Sequence, residues 1–126
     1  MAKYVDGFVL VVPKNKIAEY KKMAKEGAEV WKKNGALDYF ECMGEDLKPK
    51  SMGGPKPLSF TKMTKAKSNE SVWFSFITFK SKKHRDEVNA AVMKSMGEKY
   101  DKNQEMVMPF DIKRMSYGGF QVEVEG

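Results

Sequence analysis

Tyr4-Val5-Asp6-Gly7-Phe8-Val9-Leu10-Val11-Val12, closed by Pro13, is the stretch on which the fold turns. Its β-branched and aromatic residues predict a strand, and Pro13, which has no N–H to give to a ladder, ends it. Successive side chains of a strand point to opposite faces. Tyr4, Phe8, Leu10 and Val12 therefore share one face with Asp6, and Val5, Gly7, Val9 and Val11 make the other. A strand with one wet face would alternate apolar with polar residues. This one does not, so it is expected to lie centrally in a sheet, with a layer on each side.

Downstream, Ile17, Tyr20, Ala24, Ala28 and Trp31 recur at three- and four-residue steps, which predicts a helix from Asn15 to about Asn34. Asn34-Gly35 supplies its stop, because glycine tolerates the left-handed conformation that closes many helices. Ala36 to about Gly44 reads as a second strand. Residues 45–58, with Gly53-Gly54-Pro55 and Pro57 among lysines, read as an irregular loop. Phe60 and Met63 are spaced to anchor one short helical turn. Val72 to Phe79 alternates Val72, Phe74, Phe76 and Thr78 against Trp73, Ser75, Ile77 and Phe79, a third strand. Ser81 is placed to cap a second long helix running to about Met96, with Val88, Ala91, Val92 and Met96 as its buried stripe. Gly97 to Met108 has room for another short helix. Arg114 to Glu125 is the last strand, where Gly118-Gly119 signals a bulge or the close approach of another backbone.

Strand, helix, strand, strand, helix, strand is the split βαβ order of a ferredoxin-like fold. The expected architecture is α+β: one domain over residues 1–126, with a four-stranded antiparallel sheet and both long helices on one face. Large apolar side chains would then stand on the uncovered face. A second copy pairing sheet to sheet is the simplest cover, so the chain is expected to be a homodimer.

Composition narrows the function classes. Hydrophobic residues make up 41% of the 126, enough to build a core, and the longest apolar run, Phe8 to Val12, is far shorter than the roughly 18–20 residues of a membrane span. Met1-Ala2-Lys3-Tyr4 lacks the plan of a signal peptide, and the expectation is a cytoplasmic protein without a membrane partner. Cys42 is the single cysteine, which excludes an intrachain disulfide and suits a reducing compartment. The net charge of +6 would favour anionic partners, but the lysines are spread over helix faces and loops with acids between them. Nucleic-acid binding wants a concentrated patch, so the sequence argues against it.

Four segments carry a family resemblance: Tyr4-Val5-Asp6-Gly7-Phe8-Val9, Gly35-Ala36-Leu37, Glu41-Cys42, and the block Met108-Pro109-Phe110-Asp111-Ile112-Lys113-Arg114-Met115-Ser116-Tyr117-Gly118-Gly119-Phe120. Together they resemble the small bacterial family DUF1428, over residue 3 to about 122. The loop from Met52 to Pro57 is longer here than in those relatives. The resemblance implies a dimeric α/β barrel, two ferredoxin-like sheets packed face to face around a central cavity. It implies no activity, since barrels of this kind serve unrelated chemistries.

Asp6 is the most informative polar residue, because an ionised carboxylate on an apolar strand face must be paired or hydrogen-bonded. Glu41 is second, and Arg114 and Asp111 are the nearest candidates to partner them. A structural pair is the commoner role for such groups, and ligand or acid–base work in a cavity the sharper one. Cys42 with His84 has no spacing that supports a nucleophile and base, and Cys42 reads as a small buried hydrophobe. One His and one Cys do not make a usual metal set, and His84 on an outer helix is a poor haem ligand; no metal and no cofactor is expected. Gly53-Gly54-Pro55-Lys56 lacks the phosphate-loop pattern. Tyr39, Trp73, Phe74, Phe76 and Tyr117 sit at strand spacing, as core, interface or pocket wall. The candidate ligand-binding set is Asp6, Glu41, Trp73, Arg114 and Tyr117, with no catalytic residue assigned. Two function classes follow: a homodimer whose barrel interior binds or transforms a small and partly apolar molecule, or a non-enzymatic interaction module or weak RNA binder.

Overall fold

A computed structural model of the chain describes residues 3–99 and 108–126. The decisive stretch is strand β1, Tyr4–Pro13, and it lies inside the sheet as its two apolar faces require. A 3₁₀ turn over Lys14–Lys16 leads into helix α1, Ile17–Lys33. Gly35, at φ +113°, ends α1 by donating to Lys32, while Ala36 donates to Trp31. Strand β2 is Asp38–Met43, two residues shorter at its start than the sequence suggests because residues 34–37 are used to turn the chain.

Helix α2, Phe60–Thr64, follows the irregular loop, with the hydroxyl of Ser59 accepting from the Lys62 N–H. Phe60 and Met63 do not anchor it by burial, since both remain half exposed. Strand β3 is Glu70–Phe79 and helix α3 is Lys82–Lys99, capped by the Ser81 hydroxyl accepting from His84 N–H at 3.0 Å. Gly97 to Lys99 continue α3, and the rest of the segment expected to hold a further short helix lies outside the described residues. The final strand, β4, is Ser116–Gln121. Arg114 belongs instead to a 3₁₀ turn, Ile112–Arg114, whose first turn is fixed by the Asp111 carboxylate accepting from Lys113 N–H.

The architecture is α+β, with an antiparallel sheet of order β2-β3-β1-β4. Register places Tyr4, Asp6, Phe8, Leu10 and Val12 on one face with Trp73, Ser75, Ile77 and Phe79, and with Tyr39 and Glu41 of β2 and Tyr117 of β4. Both long helices pack there. Leu10, Val12 and Trp73 form one core cluster with Tyr20 and Ala24 of α1; Ile77 and Phe79 form another with Ala36 and with Val88 and Val92 of α3. Gly118-Gly119 makes no bulge, for β4 runs beside β1 in unbroken register. The close approach is by a side chain: a Cβ on Gly119 would stand 2.8 Å from the Tyr4 ring.

The second face is different. Val11 and Val72 are buried, but Phe40, Phe74 and Phe120 are 51%, 46% and 62% exposed, and Cys42 is exposed among them rather than buried as a small hydrophobe. Phe40 and Phe74 each pack on Phe76, at 5.2 and 5.6 Å between ring centroids. Among the described residues no helix is long and apolar enough to cross a membrane.

Candidate functional site

Between the first face of the sheet and the two long helices lies a cavity of about 470 Å³. Its position follows from side-chain size. At the β1–β3 centre Ser75 is the small residue opposite Phe8, and α1 contributes Ala24 and Gly27 to the lining, so small groups leave space that larger ones would fill. The walls are apolar, with Phe8, Leu10, Ile77 and Phe110 among them, and five of the chain's ten methionines, Met23, Met93, Met96, Met108 and Met115. Unbranched thioethers adapt to irregular shapes, which suits a pocket wall more than a fixed core. Exposed Glu26, Met93 and Ser95 form part of the rim.

Two carboxylates reach this space from the sheet. Glu41 accepts the Tyr20 hydroxyl at 2.7 Å on Oε2 and the Tyr39 hydroxyl at 3.0 Å on Oε1, so each carboxylate oxygen holds one phenol. Burial, and after it the negative charge of Glu41, pushes both phenols far above their ordinary range, which keeps them protonated and donating. Asp6 is 1% exposed and accepts from Arg85 Nη1 at 2.9 Å on Oδ1, with Asn89 Nδ2 at 3.5 Å from Oδ2. Burial raises the Asp6 carboxyl, and Arg85 and Asn89 pull it back. Arg85 is held in turn by Asp86 at 2.8 Å and lies over the Tyr4 ring at 5.0 Å. Asn89 also accepts from the Trp31 indole at 3.1 Å, joining α3 to α1.

The expected site residues divide. Asp6, Glu41 and Tyr117 line the cavity, the last stacked on Phe8 at 4.9 Å between centroids. Trp73 and Arg114 do not. Trp73 is buried against Tyr20, donates to Ser71 Oγ at 2.9 Å, and borders a shallower groove outside the cavity. Arg114 spends its guanidinium on both oxygens of Glu70 and on the carbonyls of Thr64 and Lys65, tying the last strand's approach to α2. It partners neither Asp6 nor Glu41, and Asp111 is likewise used locally, on the 3₁₀ turn. Phe74 and Phe76 are on the far face of the sheet.

Sequence reasoning does not single out Arg85, Asn89 or Tyr20 as functional partners, and it offers Tyr39 as core, interface or pocket wall but not as a partner of Glu41. A signal was present for the first two: they are four apart, flanking the buried Val88 and Val92, and so share the face that α3 turns to the sheet. Nothing in the sequence pairs Tyr20 with Glu41 across 21 residues. Among the described residues no three His, Cys, Asp or Glu side chains converge as a metal-holding group. The polar chemistry on offer is hydrogen-bond acceptance by Glu41 and donation by phenols, within an apolar enclosure.

Comparison with known proteins places the chain. The uncharacterized protein YbaA of Escherichia coli strain K12 is 43% identical over 119 residues, covering 94% of this chain and 95% of that protein. The YbaA protein of Shigella flexneri is similar to the same degree. Of solved structures, a Bacillus cereus protein related to NIF3 aligns with all of this chain at 13% identity and a TM-score of 0.34, too slight a likeness to argue from, and this chain spans 28% of it. Residues 3–112 match the family described as a protein of unknown function, DUF1428, and the chain belongs to that family.

Proposed function

We propose that this protein is a cytoplasmic homodimer of ferredoxin-like protomers, a dimeric α/β barrel, in which each protomer binds one small, partly apolar molecule. The observation that carries the reading is the cavity of about 470 Å³, apolar-walled with a few convergent polar groups, the form that ligand sites take. Binding is assigned to the space between helices and sheet. That differs from the expectation of a pocket between two sheets, because Asp6, Glu41 and Tyr117 all face the helices. No reaction is assigned.

The homodimer rests on the other face. Phe40, Phe74, Phe76 and Phe120 would be costly to leave in water, and the Phe120 ring lies over the Gly7–Gly118 pair, extending the aromatic patch that a second sheet can meet. A two-fold axis lets one such patch cover its own copy.

Thermal-shift measurement with small amphiphiles tests the binding reading. Stabilisation of the wild type that is lost in Met93→Trp, which places a larger side chain at the rim, is the expected result. Equal stabilisation of both proteins, or of neither by any compound, counts against the cavity as a site.

A further inference from the structure

We propose that the ligand is an organic cation, an ammonium group carried on an apolar body, and that Glu41 receives it; this deepens the binding reading above and rests on it. Among the described residues the cavity lining contains the carboxyl groups of Asp6, Glu26 and Glu41 and not one Lys, Arg or His side chain, in a chain whose net charge is +6. Lys21 and Lys25 lie on the outer side of α1, along the shallower groove, and Arg85 is committed to Asp6 and Asp86. An anion entering the cavity would meet the Glu41 carboxylate and no cation free to pair with it among the described residues. Such burial is strongly unfavourable.

Glu41 and Asp6 differ in what they have left to offer. Asp6 already has a guanidinium at 2.9 Å. Glu41 has two phenols, each a neutral donor, and a carboxylate has about four lone-pair positions, so roughly two remain for a ligand. No cation among the described residues pairs with Glu41. Tyr20 and Tyr39, whose hydroxyls meet at Glu41, bring their rings to the cavity lining, as does Trp31, 6.2 Å from Tyr39 between centroids. Aromatic rings beside a carboxylate attract a cation twice, through the ring quadrupole and through the ion pair. The methionine walls then take the apolar body.

Four probes with the same eight-carbon chain separate the possibilities by calorimetry: octylammonium, octyltrimethylammonium, octan-1-ol and octanoate. The expected order is either ammonium ahead of the alcohol, and the alcohol ahead of the carboxylate. Glu41→Gln should weaken ammonium binding by about tenfold or more, the loss of one charge-assisted contact, and should leave octan-1-ol within about twofold. Preference for octylammonium over its trimethyl form marks hydrogen bonding to Glu41, and the reverse marks the aromatic rings; both support the proposal. Octanoate binding as tightly as octylammonium, or ammonium binding unchanged in Glu41→Gln, overturns it while leaving the cavity a binding site. Absence of binding by all four overturns the proposal and the binding reading together. Tyr39→Phe, which leaves the carboxylate in place, serves if Glu41→Gln does not fold: it should retain the ammonium preference, and loss of that preference would overturn the assignment to Glu41.

Discussion

Removing the charge of Asp6 leaves Arg85, only 13% exposed, facing an amide in place of a carboxylate. Asp6→Asn is expected to lower unfolding free energy by about 1–3 kcal/mol in urea titration, since a charge-assisted hydrogen bond is lost in a buried place. An unchanged midpoint would mean the pair contributes nothing. The Glu70–Arg114 pair predicts a pH dependence. Hydrogen bonds from Arg114, and then from the Lys67 N–H, hold the Glu70 carboxyl below its ordinary range. The folded state therefore binds that proton less readily than the unfolded chain, so the pair's stabilisation is complete above pH 4.5, the ordinary value, and is lost as pH falls through the lowered one. Glu70→Gln should cost about 1–2 kcal/mol at neutral pH, and the gap from wild type should close in acid. A gap independent of pH would refute the assignment. At this scale the sequence spoke only in part: a carboxylate on an apolar strand face announces that it needs a partner, but Arg85 is 79 residues away and no local spacing points to it.

The elements were more legible, because their signals are local. The β-branched and aromatic run ending at Pro13 locates β1, the two-face pattern of Val72 to Phe79 locates β3, the Ile17 to Trp31 spacing locates α1, and the Ser81 cap opens α3 where a hydroxyl is needed. What misled was the end of the chain. Arg114 and Met115 have the composition of a strand start, yet Asp111 and the Glu70 pair draw them into a turn, a tertiary demand that no window of sequence contains. Gly118-Gly119 signalled crowding correctly and its source incorrectly. Gly119 faces the ring of Tyr4, itself pinned under Arg85, so Gly119→Ala has to displace both. A loss of about 1–2 kcal/mol by chemical denaturation is expected, in the range of overpacked sites. Full stability in that variant would show that Tyr4 moves freely.

For the whole molecule, the sheet divides two tasks between its faces. The face with Asp6 and Glu41 meets the helices around a cavity, and the face with Phe40, Phe74 and Phe120 is proposed to meet a second copy. Light scattering should return twice the 14.4 kDa of one chain, and Phe74→Glu with Phe120→Glu should bring it to one. A wild type of single-chain mass at micromolar concentration would leave the phenylalanines unexplained. That β1 has two apolar faces can be read from its lack of apolar–polar alternation; which face holds the cavity cannot, because that depends on which small residues, Ala24 and Gly27 of α1 and Ser75 of β3, the fold brings to one lining. The most direct test of the cavity as a binding site is a methyl spectrum of methionine-labelled protein titrated with octan-1-ol. The signals of Met23, Met96 and Met115 should shift and saturate together while those of Met52 and Met63 stay in place, and shifts confined to Met52 and Met63, or no shifts at all, would contradict the account.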